Sequence, residues 1–145
     1  MRKYPLLLLV VLSFTACKLI KKDEVKPKNP ASDVAGTYRM TSFRYQTSDD
    51  EFNIPALPVV QQGKTTYSGV VELTQASTSN QVNMVVRLDF EGQTESADFT
   101  GLDVKESGST YTLHSDGEQV ATVSGSTLNF DVRSTDVRLA FTAKR

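Results

Sequence analysis

Residues 81–91 read QVNMVVRLDFE, with Val82, Met84, Val86, Leu88 and Phe90 on one parity and Asn83, Arg87, Asp89 and Glu91 on the other. Successive side chains of a strand point to opposite faces, so this segment predicts a strand with one face in a core and one in solvent. Only Val85 interrupts the alternation. Seven further runs can be marked, at 36–46, 65–76, 95–105, 110–114, 119–123, 127–133 and 137–143. No window from Val34 onward carries a helical period. Short alternating runs between turn residues are the pattern of an all-β chain.

The breaks between the runs say how they connect. Ser77-Thr78-Ser79-Asn80, Ser107-Gly108-Ser109, Asp116-Gly117 and Ser124-Gly125-Ser126 leave room only for turns, and Asp-Gly suits a tight hairpin because glycine accepts positive φ. The run at 95–105 is weaker, with Gly101 a candidate bulge. Eight strands joined this way predict an antiparallel meander, which can close into an up-and-down barrel and so remove exposed edges. A two-sheet sandwich is the alternative, but the turns after Ala76 are too short for its crossovers.

The one long connection, 47–64, holds Asp49-Asp50-Glu51 and then Phe52, Ile54, Leu57, Val59 and Val60, with Pro55 and Pro58 between them. The prolines exclude a helix of any length. Apolar residues on so long a connection predict a lid folded over the barrel mouth. An eight-stranded barrel is just wide enough either to be filled by its own side chains or to hold one small apolar ligand. Both readings stay open. For the second, the candidate ligand-binding residues are Tyr38, Met40, Met84, Phe90, Tyr111 and Phe130 from the barrel lining, with Phe52 and Ile54 from the lid.

Gly36-Thr37-Tyr38 at the start of the first run resembles the glycine-x-tryptophan of lipocalins, with tyrosine where tryptophan is usual. The long connection after that run, seven more runs, and basic residues at the last one (Arg138, or Lys144-Arg145) are similar to the same family. The resemblance covers 34–145 and extends to the small lipocalin-like domains of bacterial lipoproteins. It implies an eight-stranded barrel that binds rather than catalyses. A helix after the last strand, usual in the family, is missing from the pattern.

The N-terminal sixteen residues, MRKYPLLLLVVLSFTA, have a basic start at Arg2 and Lys3, an unbroken apolar run from Leu6 to Leu12 and small residues at Thr15-Ala16. That is the layout of a secretory signal peptide. Cys17, the only cysteine, follows directly. Phe14-Thr15-Ala16-Cys17 resembles the lipobox of bacterial lipoproteins, with phenylalanine where leucine is usual, which implies diacylation and palmitate attachment at Cys17. A conventional signal peptide cut elsewhere, or a retained signal anchor, is the alternative. The stretch 5–20 is shorter than the ~20 apolar residues a spanning helix needs, and Lys18 interrupts it. Residues 17–33 then read as an acylated cysteine and a flexible, charged linker, with the folded domain at 34–145. Lys18 stands where an aspartate would signal inner-membrane retention, so the resemblance implies a Gram-negative outer-membrane lipoprotein. Lys22-Asp23-Glu24 resembles a surface-export signal, and a solvated linker explains it equally well.

Charge and chemistry narrow the function classes. Residues 29–145 carry fifteen Asp and Glu against nine Lys and Arg. That balance argues against nucleic acid as a partner, and leaves the membrane to be reached through the lipid anchor. His114 is the only histidine, and its sequence neighbours Ser115 and Asp116 cannot converge on it along a strand. One histidine and an acylated cysteine do not make a zinc site. The cluster at Asp49 lacks calcium-loop spacing, and Asp89, Glu91, Asp98 and Asp103 fall where a solvent face is expected. With 145 residues and no phosphate-binding loop, the chain reads as one monomeric, non-enzymatic domain without cofactor or metal. The reading of its function is a tethered barrel for a small hydrophobic ligand. The alternative is a filled barrel that presents its surface to a protein or glycan partner in the envelope.

Overall fold

The computed structural model describes residues 28–145; the stretches read as signal peptide and lipobox, with Cys17, and most of the stretch read as linker lie outside the described residues. A single helical turn, α1 (Pro30–Val34), leads into ten strands: β1 (Gly36–Thr47), β2 (Glu51–Ile54), β3 (Val59–Gln61), β4 (Lys64–Gln75), β5 (Gln81–Phe90), β6 (Gln93–Ser107), β7 (Thr110–Ser115), β8 (Glu118–Ser124), β9 (Thr127–Arg133) and β10 (Val137–Lys144). Eight of them, β1 and β4 through β10, pair in sequence, and β1 also pairs with both β10 and β4. The result is a closed, eight-stranded antiparallel up-and-down barrel of the lipocalin-like kind. The alternation of apolar and polar positions located all eight strands to within about two residues at each end, the usual latitude of strand boundaries.

The segment 47–64 does not lie across the mouth as a lid. β1 pairs with β4 only from Gly36 to Arg39, and beyond that the two strands part. β2 takes over the freed edge of β1 (Phe43↔Ile54, Tyr45↔Phe52), and β3 takes over that of β4 (Val59↔Tyr67). The inserted pair is thus laced into the wall where the barrel splays. A bulge marks the parting: two steps of β1 from Met40 to Ser42 match one step of β10, which leaves Thr41 extra. The Thr41 carbonyl accepts a hydrogen bond from Leu57 N at 2.9 Å and so holds the insertion at that point.

The folded domain begins earlier than the sequence pattern suggests. Residues 30–33, read as linker, form most of α1, whose start is written in Asn29-Pro30. The Asn29 side chain caps Ser32 N, and proline at the first helical position has no N–H to lose. Ala31 and Val34 are fully buried. α1 closes one end of the barrel against β4, β5 and β6, with Ala31 N donating to Ser79 O. Tyr38 below it donates its hydroxyl to Val34 O at 2.7 Å, and the Arg145 guanidinium lies 5.5 Å from the ring centroid while donating to the carbonyls of Ala35 and Asp33. This closed end ties the first strand to the last residue of the chain.

The other end is open and uneven. β6 pairs with β7 only from Asp103 to Ser107, and β8 pairs with β9 only from Ala121 to Ser124. The β7–β8 hairpin therefore stops short of the rim, while β5 and β6 rise beyond it. Closure does not remove every edge: among the described residues nothing pairs with the outer side of β6 from 93 to 102.

Candidate functional site

The barrel interior divides into a packed lower half and an exposed mouth. Below, Leu73, Met84, Leu102, Leu113 and Leu128 are all under 2% exposed. Gly69 faces inward on β4, and Met40 fills the notch it leaves: a Cβ there would stand 2.9 Å from Met40 Cγ and 3.1 Å from Leu88 Cδ2. The middle level is aromatic. Phe130 stacks on Phe141 with centroids 4.7 Å apart and planes 4° from parallel, and Phe99 meets Phe130 at 5.5 Å.

Four rings surround the mouth. Phe52 contacts Phe43 at 6.2 Å, Tyr67 at 6.2 Å and Phe90 at 5.7 Å, and Tyr67 meets Phe90 at 5.9 Å. All four contacts are edge-on or tilted, the arrangement that ring quadrupoles favour. Phe52 remains 38% exposed, Tyr45 41% and Val137 38%. A cleft of about 380 Å³ opens among Phe52, Tyr67, Phe90, Glu91 and Gln93. Two other clefts lie away from the barrel axis. One of about 340 Å³ lies between Arg44, Asn53, Asn129, Asp131 and Arg138, with the candidate Phe130 also among its lining residues, and one of about 260 Å³ lies at the rim between 46–48 and 133–138. Tyr38, Met40 and Met84 line none of the three.

The eight candidate residues thus separate by height. Phe52 and Phe90 come together at the mouth cleft. Met40, Met84 and Phe130 belong to the packed core, and Ile54 on β2 is buried outside that cluster. Tyr38 and Tyr111 belong to the closed end, where the Tyr111 hydroxyl donates to Asp33 Oδ2 at 2.8 Å. That bond to a carboxylate, with burial second, raises the Tyr111 pKa; burial raises that of Tyr38, and the nearby Arg145 charge works against it. Tyr45 was missed as a mouth residue because the Thr41 bulge reverses the parity of β1. Met40 and Phe43 both face inward across it, and Tyr45 follows Phe43. Nothing local in the sequence announces that bulge. The Gly101 bulge does have a signal, and it forms: Gly101 adopts φ +67°, and its N–H donates to Asn83 Oδ1.

The polar groups singled out from the sequence are engaged in structure. His114 Nε2 lies 3.0 Å from Thr112 Oγ1 and Nδ1 lies 3.3 Å from Gly117 O, so both ring nitrogens face partners in its own hairpin. The Asp49 cluster builds a turn, with Thr47 Oγ1 accepting from Asp50 N and Asp50 Oδ1 from Glu51 N. Among the described residues no group of three or more His, Cys, Asp or Glu could hold a metal ion. On the outer face Arg138 grips Asp131 through two hydrogen bonds of 3.0 and 2.7 Å, which lowers the carboxyl pKa, and Arg44 pairs with Glu51 at 2.8 Å.

Compared with protein-family models, curated proteins and solved structures, the chain matches none of them.

Proposed function

We propose that this chain is a lipid-anchored envelope protein, non-enzymatic and of lipocalin-like descent, whose barrel binds a small hydrophobic ligand at its mouth. The observation that carries this reading is the cleft at Phe52, Tyr67 and Phe90. Large aromatic rings there stay partly exposed, although the same fold buries Phe130 and Phe141 nearly completely. Exposed aromatic surface in a concave site gains free energy when an apolar ligand covers it, at roughly 25 cal/mol per Å². The ligand would sit high, on the rings, and not deep among Tyr38, Met40 and Met84.

The position of Lys28 supports the tethered part of the reading. Lys28, the first described residue, forms an ion pair with Glu106 at 2.8 Å, at the closed end. A linker running from there to an acylated Cys17 would hold the barrel with its mouth away from the outer membrane. Radiolabelled palmitate incorporated by the wild type and lost in Cys17→Ser tests the anchor. Displacement of an environment-sensitive dye, with native mass spectrometry of co-purified ligand, tests the site. Phe52→Ala should weaken dye binding about tenfold, the worth of roughly 1.4 kcal/mol of ring contact. A wild-type barrel that takes up neither dye nor ligand would sink the binding reading. The packed lower half favours the second reading, a filled barrel acting through its surface, which predicts binding lost on mutating outward residues alone.

A further inference from the structure

We propose that the free upper edge of β6 is a docking site for an extended, basic peptide segment, which adds to the sheet as a further strand. Among the described residues, 93–102 of β6 pair with β5 on one side only, and the neighbouring β7 joins below them, at Asp103. Residues of a strand direct both backbone groups alternately to its two sides, so about five of these ten offer an N–H and a C=O to the open side. All but Phe99 and Leu102 in this stretch are exposed. Opposite stands β9, where Asp131 to Arg133 pair with β10 alone, and the short β7–β8 hairpin forms the floor of the slot between them.

Edges of this length are normally blunted by lysine, proline, a bulge or shortness. From 88 to 103 there is neither lysine nor proline, and the one bulge, at Gly101, lies at the inner end of the free edge. The same stretch carries Asp89, Glu91, Glu95, Asp98 and Asp103 and no lysine or arginine; of the flanking strands, β5 carries Arg87, which pairs with Glu72, and β9 carries Arg133, which lies 3.6 Å from Asp131. Asp116 and Glu118 add acid at the floor of the slot. A backbone template set in a field of carboxylates selects a strand bearing lysine or arginine, because main-chain bonds supply affinity and side chains supply the choice. It also selects against a second copy of this chain, since pairing β6 with β6 would set Glu95 and Asp98 of the two copies near one another. Side chains of the added strand that face inward would meet the half-buried Phe99, so alternation of basic and small apolar residues fits best.

The test uses the full chain in detergent micelles and a fluorescent peptide of about ten residues alternating lysine and valine, followed by anisotropy and by amide hydrogen exchange. Binding should slow exchange of the amides of 94–101 at least tenfold. A glutamate–valine peptide, and the lysine–valine peptide with alternate amides methylated, should each bind at least tenfold more weakly. Glu95→Lys with Asp98→Lys should lower affinity at least tenfold. Should that variant fold poorly, Asp98→Asn should still lower it about threefold. Equal binding of the methylated peptide would show attraction by charge without strand addition and overturn the proposal. So would protection elsewhere than β6, no binding at all, or self-association of the chain through this edge. Phe52→Ala, which lies off this edge, should leave peptide binding unchanged while it weakens dye binding, so the outcome is separable from that of the hydrophobic-ligand reading.

Discussion

The two ends of the barrel are built from the same alternating strands, yet one is sealed and the other is left unfinished. At the closed end α1 plugs the opening, Tyr38 is fully buried with its hydroxyl satisfied, and Arg145 ties the C-terminus back over the ring. At the mouth β1 and β4 part, β7 and β8 stop short, and Tyr45, Phe52 and Val137 remain partly in water. A fold under pressure for stability alone would bury those rings. The difference separates residues that hold the barrel together from residues free to meet something else, and it can be broken by measuring stability at each level.

The largest effect belongs to the lower half. Met84→Ala removes a fully buried side chain from a packed interior and should cost about 2–5 kcal/mol in denaturant unfolding. Phe52→Ala, although it removes more atoms, should cost less than half as much, because the ring is already partly solvated. Equal losses would erase the distinction between the two ends. Gly69→Ala comes next, at roughly 1–3 kcal/mol, since the added methyl must displace the buried Met40 and Leu88 side chains. Pairing it with Met40→Ala should recover part of the loss; if it does not, Met40 is not what fills the notch.

Much of this contrast could not be seen in the sequence. Alternation and turn residues located the barrel strands because a strand with one dry face must write its period into the chain. Height along the barrel has no such period: Met84 and Phe90 share a parity on β5, yet one is core and the other mouth. Bulges without a glycine are equally silent. Val120 and Ala121 are both buried on β8, which strict alternation forbids, because β8 holds one extra residue between the partners of Leu113 and His114. Asn29-Pro30 did carry a helix-start signal, but a single turn is too short to show a period, so the plug was hidden within what read as linker.

The latch at the closed end gives a smaller effect with a pH signature. Arg145→Ala removes the cation over Tyr38 and two hydrogen bonds, to Asp33 in α1 and to Ala35 just after it, and should cost about 1–2 kcal/mol. It should also speed amide exchange in α1 while leaving the mouth unchanged. Burial raises the Tyr38 pKa above its unfolded value near 10, so its contribution is complete below that pH and is lost as pH rises through the folded value. Alkaline unfolding should therefore steepen above about pH 10 in the wild type, and less so in Tyr38→Phe. Identical alkaline limbs would mean that Tyr38 is not held neutral by the fold.

The smallest expected effect lies on the outer face near the mouth, at Asp131 and Arg138. Hydrogen bonds from Arg138 lower the Asp131 pKa below its ordinary value of 3.8. A depressed carboxyl stabilises the fold above its unfolded pKa, and that contribution disappears as pH falls through the folded one. The window is therefore acidic, below about pH 4. The Asp131 side chain is 44% exposed, so water and salt screen most of the interaction. Asp131→Asn should flatten the acid limb of the stability profile slightly at low ionic strength and leave it unchanged in 1 M salt. A loss as large as that of Arg145→Ala would place structural weight on the open end, and would contradict the division drawn between the sealed end and the mouth.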